Sequence, residues 1–480
     1  MDVFAGLTPE PVWRHFAALT AIPRPSRGED AVRRHIAAWA KAHGIAAEQD
    51  KAGNLLLRKP ATRGHENRPG VILQAHLDMV CQSLPDACHD FTKDPIRPEI
   101  AKGWMLARTT TLGADNGIGV ALALAALEES GLDHPDLEVL LTVDEEDGMG
   151  GALGLAPGWL KGRSLLNLDT EAWGEFYVGC AGSCNVDATA TCPTEPAPDA
   201  SRAWRLTVSG LAGGHSGCDI HLGRGNANKI LIAALCALAE RAPLRLSALA
   251  GGSARNAIPR DAFADILLPI GTDWLDDFLD EQNRRLAAEL ENPGDRLKLA
   301  LVPATPGPVL TGTAQTALLD ALTEIPNGVL RMSDAFDGVV ETSDNLGMMR
   351  LEDGAFSANV MVRSLVDDQA AILAETIAAR FRQAGLDAAL SNFHPGWAPD
   401  PASTLLARCR TVYAETFGVE AGVQVIHAGL ECGVIGAAYP GLDMLSFGPT
   451  IQGPHAPGER VEIASVAQAW TLLKAILRAL

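Results

Sequence analysis

The 480-residue chain has no Cys-x-x-Cys pair, no excess of basic residues and no apolar run long enough to cross a membrane. Each absence removes a class of function. Nine cysteines, an odd number, are scattered along the chain, and Cys180 and Cys184 are the nearest to one another. That distribution gives no zinc ribbon and no disulfide framework, and it suits a reducing compartment. Lys and Arg number 39 against 59 Asp and Glu, a formal net charge of −20. Phosphate backbones and anionic membrane surfaces are bound through basic patches, so neither nucleic acid nor membrane is an expected partner. Apolar stretches reach about ten residues, half of what a bilayer requires. The opening MDVFAGLTPEPVWRHF has no basic segment followed by an apolar one. No secretory signal is therefore expected, and the expected location is cytoplasmic.

What is present reads as a soluble α/β enzyme. Apolar residues make up 47% and charged residues 20% of the chain. At this length two or three structural units are expected. Short apolar runs at Asn54–Leu57, Val71–Gln74, Glu138–Thr142, Ser164–Leu168 and Met444–Phe447 alternate with helical stretches, which predicts a mixed, largely parallel sheet. Gly117–Glu129 (GIGVALALAALEE) predicts a buried helix. The stretch Thr191–Ala200 (TCPTEPAPDA) reads as a linker. After it a strand, helix, strand, strand, helix texture runs to residue 295, and a looser second copy runs from Leu297 to Leu390. The expected organisation is a discontinuous catalytic domain, residues 1–190 and 393–480, with an inserted α/β domain of two similar halves at 191–392.

Candidate metal ligands fall at the ends of the predicted strands. His76 and Asp78 end VILQAHLD; Asp115 lies in the Gly-flanked LGADNGIG; Glu145 and Glu146 follow LEVLLTVDEE; Asp169 ends SLLNLD; His455 lies in SFGPTIQGPHAPG. Ligand sites of open α/β sheets form at the carboxyl ends of strands, so residues far apart in sequence converge there. Two imidazoles and three carboxylates suit zinc, with manganese or cobalt as substitutes. Five ligands are more than one catalytic zinc uses, and a carboxylate shared by two ions resolves the count. Two residues apart on an extended segment, His76 and Asp78 face the same side, so Asp78 can accept from the ring nitrogen of His76 that is not the ligand. Of the adjacent glutamates, one can bind metal while the other takes a proton from water.

The segments HLD (76–78), GADNG (113–117), the glutamate pair 145–146, LD (168–169) and GPH (453–455) together resemble the family of co-catalytic zinc peptidases that includes carnosinases, aminoacylases and carboxypeptidases. Longer strings, among them TTLGADNGIG (110–119), GGHSGCDIHLGRGNANK (213–229), RNAIPR (255–260) and HAGLECG (427–433), resemble bacterial dipeptidases of that family and span nearly the whole chain. The resemblance implies two zinc ions, one on His76, Asp115 and Asp169, the other on Asp115, Glu146 and His455. It makes Glu145 the general base, Asp78 the aspartate behind His76, and Asp115-Asn116 a cis peptide. It implies hydrolysis of dipeptides with a free N-terminus, Xaa-His among them, in which a small peptide is the partner molecule. The inserted domain becomes a lid. There His215 would polarise the scissile carbonyl, and Asn256, Asn345 and Arg363 would hold the substrate backbone or its terminal carboxylate. Relatives dimerise through the lid and supply these groups in trans. Supply within one chain and a homodimer through the lid both stay open. Cys81 stands where many relatives have proline, and it reads as a small buried thiol. Two rivals are kept: an N-acyl amino acid deacylase of the same fold, and a metal-free binding protein on a degenerate enzyme fold.

Overall fold

The apolar segments Leu137–Thr142, Val71–His76, Ser164–Asn167 and Asp443–Ser446 lie side by side and parallel at the centre of an eight-stranded sheet in the computed structural model, which describes residues 3–334 and 336–480. Leu55–Lys59 and Ala46–Gln49 extend one side of this sheet in antiparallel register. Glu175–Cys180 and Gly422–Ile426 extend the other side. Val71–His76 is buried at every residue, as expected of a parallel strand covered on both faces. The predicted apolar helix runs from Ala114 to Glu128 and is buried from Ala114 through Leu127. It packs against Glu10–Thr20, Val71–His76 and the last helix, Ile463–Ala479.

This sheet and its helices form one compact unit, residues through Gly179 with Pro399–Val425 and Leu430–Leu480. A second unit comprises Cys180–Ala398 and Ile426–Gly429. It therefore begins before the Pro-rich stretch at Thr191, because Gly182–Thr191 is already a strand of its own sheet. That sheet has nine strands, and its two halves share one topology. In the first half Ser201–Ser209, Arg245–Gly251, Ala262–Pro269 and Lys298–Pro303 are interleaved with helices Ala227–Arg241 and Leu275–Ala288. In the second, Gly182–Thr191, Val340–Glu352, Ala355–Ser364 and Asp387–His394 are interleaved with helices Gly312–Glu324 and Asp367–Gln383. Pairing of Arg245–Gly251 with Val340–Glu352 joins the halves. The predicted doubling is present, with a different partition. Lys298–Pro303 completes the first half, and the second takes its first strand from Gly182–Thr191, ahead of the first half in the chain.

Asp344, in the strand Val340–Glu352, is 1% exposed, and both of its carboxylate oxygens are buried without a hydrogen-bond partner among the described residues. The neighbouring Lys229 ammonium is committed to the carbonyls of Leu322, Thr323 and Ile325 at the end of helix Gly312–Glu324. Burial pushes the Asp344 carboxyl up to about 7, the Lys229 charge only partly offsetting it. A raised carboxyl pKa withholds stability above the unfolded value near 4, and the penalty is complete above the folded value. Asp344→Asn is thus expected to stabilise the second unit by on the order of 2–4 kcal/mol at pH 8, and by much less at pH 5. Urea midpoints at the two pH values check this; equal shifts at both would contradict it.

Candidate metal centre

The central strands run the same way, so their carboxyl ends meet at one edge of the sheet. His76 closes Val71–His76, Glu145 and Glu146 follow Leu137–Thr142, and Asp169 follows Ser164–Asn167. Asp115 comes from the first turn of the buried helix, where Asp115 and Asn116 have non-helical backbone angles and the peptide between them is cis. His455 arrives from the loop between the short strands Ile451–Gln452 and Arg460–Glu462 with φ +61°, in the left-handed region that non-glycine residues enter at a cost.

The candidate ligands converge. Asp115 presents one carboxylate oxygen to each imidazole: Oδ1 lies 3.0 Å from His76 Nε2, and Oδ2 lies 3.1 Å from His455 Nε2. His76 Nε2 is also 3.4 Å from Asp169 Oδ1, and His455 Nε2 is 3.1 Å from Glu146 Oε2. His76, Asp115 and Glu146 each offer a ligand atom within 4.8 Å of the others. His76 turns Nδ1 to Asp78 Oδ1 at 3.3 Å, the back-side contact expected from their spacing. Glu146 Oε1 and Asp169 Oδ1 are buried and, among the described residues, accept no hydrogen bond. Buried acceptor oxygens without donors are costly, and a cation among them removes the cost. The nitrogen and oxygen donor set therefore fits a divalent metal such as zinc.

The electrostatics agree. Burial disfavours the His76 imidazolium, yet Asp169, Asp115 and Asp78 outweigh it and hold the pKa well above the ordinary value. His455 is raised to about 11 by its hydrogen bonds to Asp115 and Glu146. Asp115 resists its burial through hydrogen bonds from His455 and His76, which keep it below the usual carboxylate range. Glu145, Glu146 and Asp169 are all raised, by burial first and by their negative neighbours. Glu171 is pushed up to about 9 by burial and by repulsion from Asp115 and Asp169. This is a concentration of negative charge matched to a positive occupant.

Several groups that position these ligands had no role in the sequence reading. The buried Arg24 donates to the carbonyls of Leu77 (2.9 Å) and Asp78 (2.8 Å) and also to that of Gly113, so it ties the two ligand-bearing loops together. Gly113 has φ +70°, and a Cβ there would lie 2.5 Å from Arg24 Nη2. Glu459 accepts from the backbone N–H groups of Leu112, Gly113, Ala114 and Asp115 at 2.7–3.3 Å, which fixes the entry to the helix. Asp78 accepts from Ser26 Oγ at 2.7 Å and from the N–H groups of Glu145 and Glu146 at 3.1 Å each. One carboxylate thereby orients a ligand imidazole and both glutamates. Burial opposes its ionisation, but His76, Ser26 and the Glu146 N–H hold it down at about 2. Glu431 Oε2 accepts from Gln74 Nε2 and Thr142 Oγ1 at 2.6 Å each. Burial pushes the Cys81 thiol up to about 11, which favours its protonated form.

The other predicted residues belong to the second unit. His215 Nδ1 accepts from the N–H groups of Gly217 (3.2 Å) and Cys218 (3.0 Å), so the ring proton resides on Nε2. Arg363 is 6% exposed, and burial lowers its pKa to about 10. Asn256 is exposed. Asn345 is buried, with its Oδ1 accepting from Asn226 and its Nδ2 donating to the carbonyls of Arg255 (3.3 Å) and Ala257 (2.9 Å). Its amide thus holds the backbone on either side of Asn256.

Comparison with known proteins places this geometry. The chain is 44% identical to the cytosol non-specific dipeptidase of Escherichia coli (strain K12), over 100% of this chain and 99% of that protein. The crystal structure of aminoacylhistidine dipeptidase from Vibrio alginolyticus superposes with a TM-score of 0.91 at 43% identity, covering 99% of this chain and 98% of the other. The aminopeptidase PepT of Bacillus cereus ATCC 10987, at 16% identity, TM-score 0.58 and 98% and 99% coverage, shares the fold alone. Residues 72–479 match peptidase family M20/M25/M40, and the chain belongs to that family of metal-dependent peptidases.

Proposed function

We propose that this protein hydrolyses dipeptides that carry a free N-terminus, Xaa-His dipeptides among them, and that it works in the cytoplasm. The observation that carries the reading is the likeness, from end to end, to a protein named as a non-specific dipeptidase. The site supplies the chemistry. In this reading His76, Asp115 and Asp169 hold one zinc ion and Asp115, Glu146 and His455 the other; manganese or cobalt can stand in. When bound, such a pair polarises the scissile carbonyl and brings the pKa of water toward neutrality.

The chain's own residues do the rest. Glu145, off the ligand set and with a raised proton affinity, takes a proton from the attacking water and returns it to the leaving amine. Asp78 keeps the His76 ring oriented and anchors the Glu145 backbone. The first unit is the catalytic domain in this proposal, and the second is a lid. His215, with its proton on Nε2, is a donor suited to the developing oxyanion. Arg363 offers a planar fork for the terminal carboxylate, and burial strengthens that pairing. Such a clamp favours short substrates, since a longer chain has no terminus to offer it. Asn256 makes the backbone contact, and Asn345 serves it by holding its loop.

Comparing Ala-His and β-Ala-His with their N-acetyl forms tests the substrate class. Cleavage confined to the free-amine peptides is expected; cleavage confined to the acetylated forms would identify a deacylase.

A further inference from the structure

Three successive backbone N–H groups at the proposed base are captured by carboxylates. Those of Glu145 and Glu146 donate to the two oxygens of Asp78, at 3.1 Å each. That of Asp144 donates to Glu29 Oε1 at 2.9 Å. Glu29 lies far away in the sequence, just before the helix Asp30–Ala42, and it is neither a proposed ligand nor the base. It is 4% exposed, and the same Oε1 also accepts from the Arg27 N–H at 3.0 Å.

The two residues whose N–H groups meet on Glu29 share an uncommon backbone. Arg27 has φ +64° and Asp144 has φ +55°, both in the left-handed region. Non-glycine residues stay there only where their surroundings fix them, and such residues gather at active sites. Arg27 Nε also donates to Asp144 Oδ1 at 3.3 Å, but the Arg27 side chain is 67% exposed, and an ion pair so open to water holds little. The buried tie is the one to Glu29. The turn at Asp144 also decides where the next residues go. Leu137–Thr142 is an extended, buried strand, and successive N–H groups converge on one anion only where the backbone leaves that form. The left-handed step at Asp144 makes that departure and delivers the N–H groups of Glu145 and Glu146 to Asp78.

Resting on the assignment of Glu145 as general base, we infer that Glu29 is a positioning residue for that base: by holding Asp144 in its left-handed turn, it fixes the backbone from which Glu145 reaches the attacking water. Glu29 acts through the backbone and carries no proton in the reaction. A general base works only within hydrogen-bond reach of the proton it takes, and small misplacements are costly. A loosened turn therefore lowers kcat and leaves KM nearly unchanged. Glu146 shares the turn, so the effect on the base is read at saturating zinc.

The test uses three substitutions in the full chain with Ala-His as substrate. Glu29→Ala removes the acceptor, Glu29→Asp draws it back by one methylene, and Glu29→Gln keeps it. Glu29→Ala and Glu29→Asp are each expected to lower kcat by roughly 10- to 30-fold and to move KM by less than about threefold. Glu29→Gln is expected to stay within about threefold of the unaltered protein, since its amide oxygen still accepts both N–H groups. Added to Glu145→Gln, Glu29→Ala is expected to cost less than about twofold more, because residues that act as a unit are not additive. A merely structural role would give its full loss in that double variant as well. That full loss, an unchanged kcat in both Glu29→Ala and Glu29→Asp, or a Glu29→Gln as poor as Glu29→Ala would each overturn the inference. Near-normal turnover of Glu145→Gln alone would instead remove the base assignment, and the inference with it.

Discussion

Glu145→Gln is expected to lower kcat for Ala-His by roughly 1,000-fold while leaving the bound metal in place, a loss within the usual range for a removed general base. The substitution keeps the shape of the side chain and the backbone contact to Asp78, and it removes only the ability to carry a proton. Glu146→Gln, one residue along, is expected to behave differently. Glu146 Oε2 faces His455 and its Oε1 has no donor, so this variant should lose metal affinity as well as activity. Metal content and turnover of the two purified variants separate the roles. Near-normal turnover of Glu145→Gln would reject the base assignment.

The second large effect is expected at a residue that touches no substrate. Arg24 is 2% exposed, and its guanidinium joins the loop of His76 and Asp78 to the loop of Asp115. Burial lowers its pKa, while Glu459, Asp78 and Asp115 favour the charged form. Arg24→Met leaves those carboxylates without their cation and three carbonyls without their donor. Removing one member of a buried charged arrangement costs about 3–5 kcal/mol. The variant is therefore expected to unfold at lower urea and to bind metal at least about tenfold more weakly, as loss of supporting contacts does. Urea unfolding and metal titration of the variant check this. Unchanged values in both would mean the two loops hold their places without it.

Three of the proposed ligands, His76, Glu146 and Asp169, stand out in the sequence because each closes or follows a strand whose apolar run announces it, whereas Asp115 opens the buried helix and His455 lies in a loop. VILQAHLD and LEVLLTVDEE change from continuous burial to charge at the point where a parallel strand leaves the sheet. The supporting groups were not legible, because their partners are backbone atoms brought together only by folding. Arg24 lies in the irregular IPRPS and bonds to carbonyls remote in sequence, and Glu459 in GERVE reads as a surface charge. The doubling of the second unit was visible as a repeated texture, but its partition was not. Gly182–Thr191 pairs with Ala355–Ser364, and such a pairing across an intervening half leaves no local trace. The resemblance makes Asn345 a substrate contact; in the structure its amide also bonds to Asn226 and to the backbone at Arg255 and Ala257.

The central claim is that His76, Asp115, Glu146, Asp169 and His455 hold two ions on which dipeptide hydrolysis depends. The most direct measurement is zinc titration of the chelated apoprotein by calorimetry, with Ala-His hydrolysis followed at each addition. The account predicts an inactive apoprotein that takes up two zinc ions per chain and regains activity as they bind. Undiminished hydrolysis by the apoprotein, or full activity with a single ion bound, would contradict it.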